Sequence, residues 1–218
     1  MRTTTADPAT ATASRRPIRR HRVVVAALAL ASAAALAACG GSGDGEELTG
    51  PAVPANPAAF AWVHPSPAPA GWRTQGLPSG AATLAYPRGW RLTRTDPGTV
   101  TAARMAGGRI VGYLNVTPQG GEETLSNWAS FRPAHNREEG DHNLVPLASA
   151  TGLPFRGARG SCVKESYSTG SDRRYTEIAC IVRGSRATTV IVGAAPPSQW
   201  DRFSPTLERA ISSFDASA

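Results

Sequence analysis

Alternation of hydrophobic and polar residues in short segments predicts a chain built mainly from β-strands. The turn formers Pro87-Arg88-Gly89, Asp96-Pro97-Gly98 and Gly107-Gly108 separate the first segments, at spacings typical of an antiparallel meander. The β-branched run Thr188-Thr189-Val190-Ile191-Val192 predicts a further strand. The predicted strands span residues 81–86, 90–93, 99–105, 110–117, 144–148, 160–167, 175–182 and 188–192.

Two other stretches have the spacing of buried positions in a helix. The first opens at Glu122-Glu123, whose charges favour a helix N-terminus, and should continue to about Phe131, before Pro133 ends or kinks it. The second begins at Ser204-Pro205, with the serine as its cap and the proline at its first position. Its predicted buried stripe consists of Leu207, Ala210, Ile211 and Phe214. Residues 71–218 are therefore predicted to form one domain, with about seven strands and two principal helices.

The first 38 residues have the three-part layout of a secretory signal. Five arginines lie between residues 15 and 22, and an apolar run of 16 residues, 23–38, follows them. The run closes with Leu36-Ala37-Ala38-Cys39, which is typical of the lipid-attachment box of a bacterial lipoprotein signal peptide. We therefore expect processing before Cys39, acylation of that cysteine by fatty acids such as palmitate, and anchoring on the extracytoplasmic face of the cell membrane.

A membrane-spanning helix is the alternative interpretation of the apolar run. Spanning a bilayer takes about 20 predominantly apolar residues, whereas this run has 16 and is followed by Gly40-Gly41-Ser42-Gly43 rather than by a positive charge. Lipidation is therefore favoured. The export route stays open between Sec and twin-arginine, because Pro17-Ile18-Arg19 departs from the hydrophobic pair that usually follows twin arginines.

Residues 39–70 are rich in glycine, proline, alanine and serine, which predicts a tether between the anchor and the domain. As a coil, such a segment would hold the domain on the order of 30 Å from the bilayer. Phe60-Ala61-Trp62-Val63 interrupts it with apolar side chains. These residues either dock on the domain or contact a partner, and docking is favoured because exposed Phe and Trp together are costly.

Two further cysteines, Cys162 and Cys180, are expected to form a disulfide, since both would lie in the extracytoplasmic space. Predicted strands 160–167 and 175–182 flank a run of turn formers centred on Ser171. A hairpin symmetric about that residue places the cysteines opposite each other on neighbouring strands. Two buried free thiols are the alternative.

The charge of the chain argues against nucleic acid as a partner. The formal charge is +7, but the signal contributes +5, so the processed chain carries +2. Its 17 Lys and Arg residues and 15 Asp and Glu residues are interspersed, whereas binding to phosphate backbones demands a clustered basic face. The bias toward Ala, Gly, Arg and Pro resembles that of actinobacterial proteins.

No catalytic or cofactor motif of high specificity follows Cys39. Ser161-Cys162-Val163-Lys164 matches the Ser-x-x-Lys pattern of penicillin-recognising enzymes, but it lies in a predicted strand rather than at the start of a helix. Residues 135–142 combine two histidines with three carboxylates at a spacing that matches no compact metal motif, so a solvated helix end is favoured. We therefore expect neither an enzyme nor a cofactor or metal site.

Three features together resemble the PsbP/Mog1-like fold, which actinobacterial LpqN-type lipoproteins share. They are the turn Tyr86-Pro87-Arg88-Gly89-Trp90, the strand at 110–117 followed by a Trp-containing helix, and the last strand leading through Trp200 to the stripe that ends at Phe214. The resemblance covers roughly residues 72–214. It implies an α+β fold, an α/β/α sandwich with a central antiparallel sheet, and a non-catalytic binding or assembly module.

These observations leave three functional hypotheses. The leading one is a lipid-anchored envelope protein whose domain binds a protein partner. The second is a carrier or sensor of a lipid or small apolar ligand, which requires a cavity of about 300 Å³ or more lined by Trp90, Trp128 or Trp200. A hydrolase is the third and would need a buried Ser-His or Cys-His contact, with His64, His135 and His142 as the histidines after Cys39.

Overall fold

The computed structural model describes residues 53–93 and 96–216. The strands of this part are β1 (Arg73–Gly76), β2 (Thr83–Tyr86), β3 (Arg91–Thr93), β4 (Val100–Ala106), β5 (Arg109–Pro118), β6 (His142–Phe155), β7 (Ala158–Ser168), β8 (Arg174–Arg183) and β9 (Thr188–Ala195). The α-helices are α1 (Trp128–Glu138) and α2 (Trp200–Ser212), and two short 3-10 helices lie at Pro57–Phe60 and Pro197–Gln199.

A seven-stranded antiparallel sheet organises the domain, in the order β3-β4-β5-β9-β8-β7-β6. The predicted α+β class with a central antiparallel sheet is therefore confirmed. Strands β1 and β2 form a separate two-stranded sheet. Strand β1 has no counterpart among the predicted strands, because its sequence Arg-Thr-Gln-Gly is mostly exposed and shows no hydrophobic alternation.

The two helices pack on opposite faces of the large sheet. Successive strand residues point to opposite faces, so β8 directs Ile178 and Cys180 toward the α2 side and Ala179 and Ile181 toward the α1 side. Helix α2 packs mainly on the central strand β9. The predicted stripe is buried as expected, with Leu207, Ala210 and Ile211 of α2, and Phe214 just beyond its end, each 0% exposed. The molecule is thus an α/β/α sandwich with one hydrophobic layer on each side.

Both helices begin at residues other than those predicted. Helix α2 begins at Trp200, so Ser204-Pro205 lies inside it rather than at its cap. Phe203 supplies the reason for the earlier start, because it is buried and packs edge-on against the ring of Trp90 at 6.0 Å. The first helical turn is thereby held on the sheet, and the missing N–H of the proline costs only one backbone hydrogen bond.

Helix α1 spans 128–138 rather than the predicted 122–131. Glu123 is buried in the preceding loop, where its carboxylate accepts a hydrogen bond from the Gly120 N–H at 2.8 Å. Pro133 does not end the helix. The side chains of Arg132 and Asn136, on either side of it, are hydrogen-bonded to the sheet and offset the backbone bond that proline cannot make.

The C-terminal part of the predicted tether makes contacts with the domain, among them a hydrogen bond from the Ser66 N–H to the Ser212 carbonyl at 3.0 Å. Phe60 and Val63 are 1% and 2% exposed and belong to the α2-side core, so this part of the segment docks on the domain. Upstream, the Ser149 N–H of edge strand β6 donates to the Pro54 carbonyl at 2.8 Å. The domain therefore begins no later than Val53.

None of the helices in the described ranges is long and apolar enough to span a membrane. The predicted signal, residues 1–38, and the predicted lipid-attachment residue Cys39 lie outside those ranges.

Candidate functional site

Helix α1 covers only part of its face of the sheet and leaves a groove beside it. It packs against β6 and β7, while residues of β4, β5 and β9 line two adjoining depressions of about 320 and 300 Å³. The two depressions share Thr117, Arg132, His135 and Val190. We call their combined surface the α1 groove. Its further lining includes Thr101, Tyr113, Asn115, Trp128, Phe131 and Glu139.

A stack of rings along α1 forms one wall of the α1 groove. The rings of Trp128 and Phe131 are 6.1 Å apart, those of Phe131 and His135 are 5.6 Å apart, and the planes differ by 18° and 16°. Residues three and four apart lie on the same face of a helix, so the sequence places these rings in one row. Across the groove, Asn115 Nδ2 donates to Thr101 Oγ1 at 2.7 Å. The groove thus offers aromatic edges beside neutral polar groups.

An ion pair at the rim joins His135 to Glu139, one helical turn away. His135 Nε2 lies 3.3 Å from Glu139 Oε1. This contact raises the pKa of the His135 imidazole and lowers the pKa of the Glu139 carboxyl. Both side chains are more than one-third exposed, so the pair adds little to stability. It does orient the imidazole against the Phe131 ring.

Arg132 connects the α1 groove to a buried polar cluster between α1 and the sheet. Its Nε donates to Glu177 Oε1 at 2.8 Å and its Nη2 to Glu177 Oε2 at 3.2 Å, a two-point contact with a carboxylate that is 0% exposed. Tyr167 donates its hydroxyl to Glu177 Oε2 at 2.9 Å. Burial disfavours the charged form of the guanidinium and lowers its pKa. The charge of Glu177 and its hydrogen bonds together have the larger effect, so the pKa of Arg132 is raised. The guanidinium therefore stays charged and is held in place by strand β8.

Glu165 is the second buried carboxyl of this cluster and lies directly opposite Glu177 in the β7–β8 register. Asn136 Nδ2 donates to Glu165 Oε1 at 2.8 Å, whereas Arg132 Nε is 4.0 Å from the same oxygen. Burial, together with the adjacent charge of Glu177, raises the pKa of Glu165 to about 8, against the opposing effect of Arg132. Both effects favour the protonated, neutral form of the Glu165 carboxyl.

Two tyrosines complete the cluster. The hydroxyl oxygens of Tyr113 and Tyr167 are 3.3 Å apart, and burial raises the pKa of both phenols. Both stay protonated and act as hydrogen-bonding groups. The polar groups of the cluster are thus bonded largely to one another, which suits the cluster to fixing α1 on the sheet and to shaping the groove above it.

The disulfide pair lies in the other layer of the sandwich. Cys162 and Cys180 are directly opposite in the β7–β8 register, with sulfur atoms 2.03 Å apart. Both are buried in the α2-side core. The bond therefore joins β7 and β8 on the face of the sheet opposite to the polar cluster.

The Ser-x-x-Lys match has no catalytic geometry. Ser161 lies on the α1 side, where its Oγ donates to the Leu125 carbonyl at 2.6 Å. Lys164 is three residues further along the strand and so points to the opposite face, with Nζ 5.0 Å from the ring centre of Trp200. The sheet separates the two side chains.

The two histidines of the histidine-rich segment contact different carboxylates. His135 faces Glu139, and His142 Nε2 lies 3.1 Å from Asp172 Oδ1 on the β7–β8 turn. Within residues 53–93 and 96–216, no three His, Cys, Asp or Glu side chains converge in a way that could hold a metal ion.

Sequence reasoning missed the buried glutamates, although the signal was present. A hairpin symmetric about residue 171 that pairs Cys162 with Cys180 also pairs Glu165 with Glu177. Each of the two predicted strands contains one glutamate, and the two glutamates are in register on the face opposite to the cysteines. This pattern indicates a buried polar cluster. The covering residues Arg132 and Asn136 could not be assigned in this way, because the predicted helix ended at residue 131.

A larger depression of about 590 Å³ lies on the opposite side of the molecule. It is formed where residues 62–69 pass α2, with Trp62, Pro67, Pro205 and Glu208 among its lining residues. We favour the α1 groove as the candidate site because ionisable groups with strongly shifted pKa values cluster at functional sites, and the α1 groove adjoins such a cluster.

The sequence matches no protein-family model and no curated protein sequence. Among solved structures, the chain is similar to PsbP (CyanoP) from the cyanobacterium Synechocystis sp. PCC 6803, with 15% identity and a TM-score of 0.49 over 67% of this chain and 93% of that one. It is also similar to LpqN of Mycobacterium tuberculosis, a protein involved in cell envelope biogenesis, with 13% identity and a TM-score of 0.36 over 69% and 87%. We take nothing about ligand or partner from these matches.

Proposed function

We propose that this chain is a lipid-anchored cell-envelope protein whose domain is a non-catalytic binding module, with the α1 groove as its binding surface. The observation that carries the proposal is the groove itself. It presents aromatic edges and polar groups, with the His135–Glu139 pair at its rim, while Arg132 is held by Glu177. A guanidinium engaged in this way shapes a surface and is poorly placed to act on a substrate.

The position of the domain relative to the membrane follows from chain length. Fourteen peptide links separate Cys39 from Val53, and a chain advances at most about 3.6 Å per residue. Val53 can therefore lie no more than about 50 Å from a lipid attached at Cys39. The domain would be kept close to the bilayer, within reach of partners that are themselves in or on the membrane.

Replacing Cys39 with alanine should release the protein from the membrane, because the acyl chains supply the anchoring energy at about 0.8 kcal/mol per buried CH₂. The measurement is fractionation of cells that express the full chain, with mass spectrometry of the N-terminal peptide. Replacing Ser42 with alanine, three residues further on, is the matched control and should leave the protein in the membrane fraction. Retention of the Cys39→Ala variant in that fraction would contradict the proposed anchor.

The binding surface is tested by affinity capture from detergent-solubilised native envelope, with the oxidised chain as bait. Thr117 lies in the region shared by the two depressions, so Thr117→Arg should fill the groove and lose the captured partner. Thr74→Arg makes the same change at an exposed position of β1 and should keep the partner. Both variants are first checked for an unchanged melting temperature.

Two outcomes of this capture would contradict the proposal. Loss of the partner with Thr74→Arg but not with Thr117→Arg would move the binding surface away from the α1 groove. A lipid retained at about one per domain, without a protein, would favour the carrier hypothesis. Trp128 does line one of the depressions, but Glu123, Arg132 and His135 line it as well, which is a polar environment for an acyl chain.

A further inference from the structure

The charges beneath α1 do not balance if both buried glutamates are ionised. Glu165 and Glu177 lie opposite each other, and the ion pairs that these two carboxyls make in the described part of the chain are both with Arg132. That arginine contacts Glu177 with two nitrogens and lies 4.0 Å from Glu165. One positive charge cannot neutralise two carboxylates, and an unpaired buried charge is strongly unfavourable.

Two polar atoms of the Glu165–Asn136 pair lack hydrogen-bond partners in the described part of the chain, and a proton on the Glu165 carboxyl would allow them to bond to each other. Asn136 Nδ2 donates to Glu165 Oε1 at 2.8 Å. Among the described residues, the other oxygens of this pair, Glu165 Oε2 and Asn136 Oδ1, are buried and have no hydrogen-bond partner. Both atoms are acceptors as long as Glu165 is ionised. A protonated Glu165 turns one of them into a donor, and the two side chains can then form the two-bond pair of a carboxylic acid with an amide.

We propose that Glu165 is a proton-dependent latch that fastens α1 to the sheet. In the closed state its carboxylic acid donates to Asn136 Oδ1 and accepts from Asn136 Nδ2. At mildly alkaline pH the O–H bond breaks, the proton passes to solvent, and a carboxylate remains opposite the carboxylate of Glu177. The contact with Asn136 then weakens, and α1, which forms one wall of the α1 groove, loosens. The latch is a property of the fold and stands whether or not the groove binds a partner.

The groups around Glu165 determine whether its carboxyl is stabilised in the protonated or in the ionised form. Burial and the charge of Glu177 favour the protonated form and raise the pKa of Glu165 to about 8. Strand β6 places the non-titratable Pro146 opposite Glu165. The remaining charged groups that act on it are Arg132 and Arg137 of α1, which favour ionisation, and Asp141 of the loop after α1, which opposes it.

The latch predicts a specific pH dependence of unfolding. Between about pH 4.5 and 8 the folded chain holds a proton that the unfolded chain releases, so stability falls as pH rises and levels off above the folded pKa. Relative to the Glu165→Gln variant, the unfolding equilibrium constant of the oxidised wild-type chain should rise by up to about tenfold per pH unit in this window. A glutamine at position 165 can make both hydrogen bonds to Asn136 without a proton, which removes this dependence.

Amide hydrogen exchange locates the effect. At pH 6 the α1 amides of the wild type and Glu165→Gln should be equally protected, whereas at pH 9 the wild type should be less protected than the variant. The matched control is Glu138→Gln, the same change at an exposed position of α1, which should behave as the wild type at both pH values. Equal pH dependence of the wild type and Glu165→Gln would overturn the proposal.

A measurement on the unaltered protein keeps the test decisive even if the variant folds poorly. Carbon-13 shifts of the glutamate carboxyls, followed from pH 4 to 10, should show one glutamate that is still protonated at pH 7 and titrates near pH 8. The Glu165→Gln variant should lack that resonance. Ionisation of every glutamate below pH 6 would overturn the proposal.

Discussion

Replacing Glu177 with glutamine should lower the free energy of unfolding by about 3–5 kcal/mol. The substitution keeps the size of the side chain but removes the negative charge that Arg132 contacts with two nitrogens. A guanidinium whose side chain is only 13% exposed would then lose its two-point contact with a carboxylate and keep only the 4.0 Å contact with Glu165. The loss is large because the remaining charge stays buried, not because a buried ion pair is itself a strong source of stability. Urea unfolding of the oxidised chain at pH 7 measures the effect.

Glu165→Gln is the control for this prediction, because it makes the same change on the opposite strand of the same cluster. If Glu165 carries a proton at neutral pH, as we propose, its replacement should change stability at pH 7 far less than Glu177→Gln does. Similar losses for the two variants would show that Arg132 is shared equally between the two carboxyls. That result would contradict the assignment of one neutral and one ionised glutamate.

Replacing both Cys162 and Cys180 with alanine should lower the free energy of unfolding by about 3 kcal/mol through the loss of the cross-link. The two cysteines are 18 residues apart in sequence, and the bond closes this loop in the unfolded chain. The buried sulfurs also pack in the α2-side core, so their removal adds the loss of those contacts. Guanidinium unfolding, with and without a reductant, measures the effect.

Unfolding in the presence of a reductant separates the contribution of the cross-link to stability from the contribution of sulfur packing. Reduction of the wild type should cost most of the same amount, while the double alanine variant should not respond to the reductant at all. If reduction leaves the unfolding curve of the wild type unchanged, the disulfide does not contribute to stability.

The β7–β8 hairpin illustrates how much of the fold the sequence contains. Turn formers around Ser171 define a centre of symmetry, and alternation along each strand defines its two faces. These two facts are sufficient to place Cys162 opposite Cys180 and Glu165 opposite Glu177. Local sequence determines this part because the two strands are neighbours in the chain and the turn fixes their register.

Helix α1 shows where sequence reasoning fails. Acidic residues at 122 and 123 and a proline at 133 predict a helix that ends early, whereas the helix observed continues through Pro133 to Glu138. What holds its second half is a pair of long-range contacts, from Arg132 to Glu177 and from Asn136 to Glu165. The partners in these contacts are 45 and 29 positions apart in the sequence. Contacts over such separations leave no local pattern in the sequence, and they override helix propensity.

The N-terminal segment is predicted in part, because docking of Phe60 and Val63 is expected from their apolar side chains. Its proline and alanine content is typical of a tether, but two buried side chains, Phe60 and Val63, and one β-bridge to Ser149 attach it to the domain. The exposed edge of β6 attracts such a segment because its backbone groups need partners. The composition of a segment describes its average residue, whereas docking on the domain depends on a few particular side chains and backbone groups.

The most direct test of the proposed function is photo-crosslinking in the native envelope from within the α1 groove. The full chain would carry p-benzoylphenylalanine at position 117, in the region shared by the two depressions, or at position 74, on the exposed strand β1. We expect one discrete protein adduct from position 117 and none from position 74. Identical adduct patterns from the two positions, or a lipid adduct alone from position 117, would contradict the account of the α1 groove as a protein-binding surface.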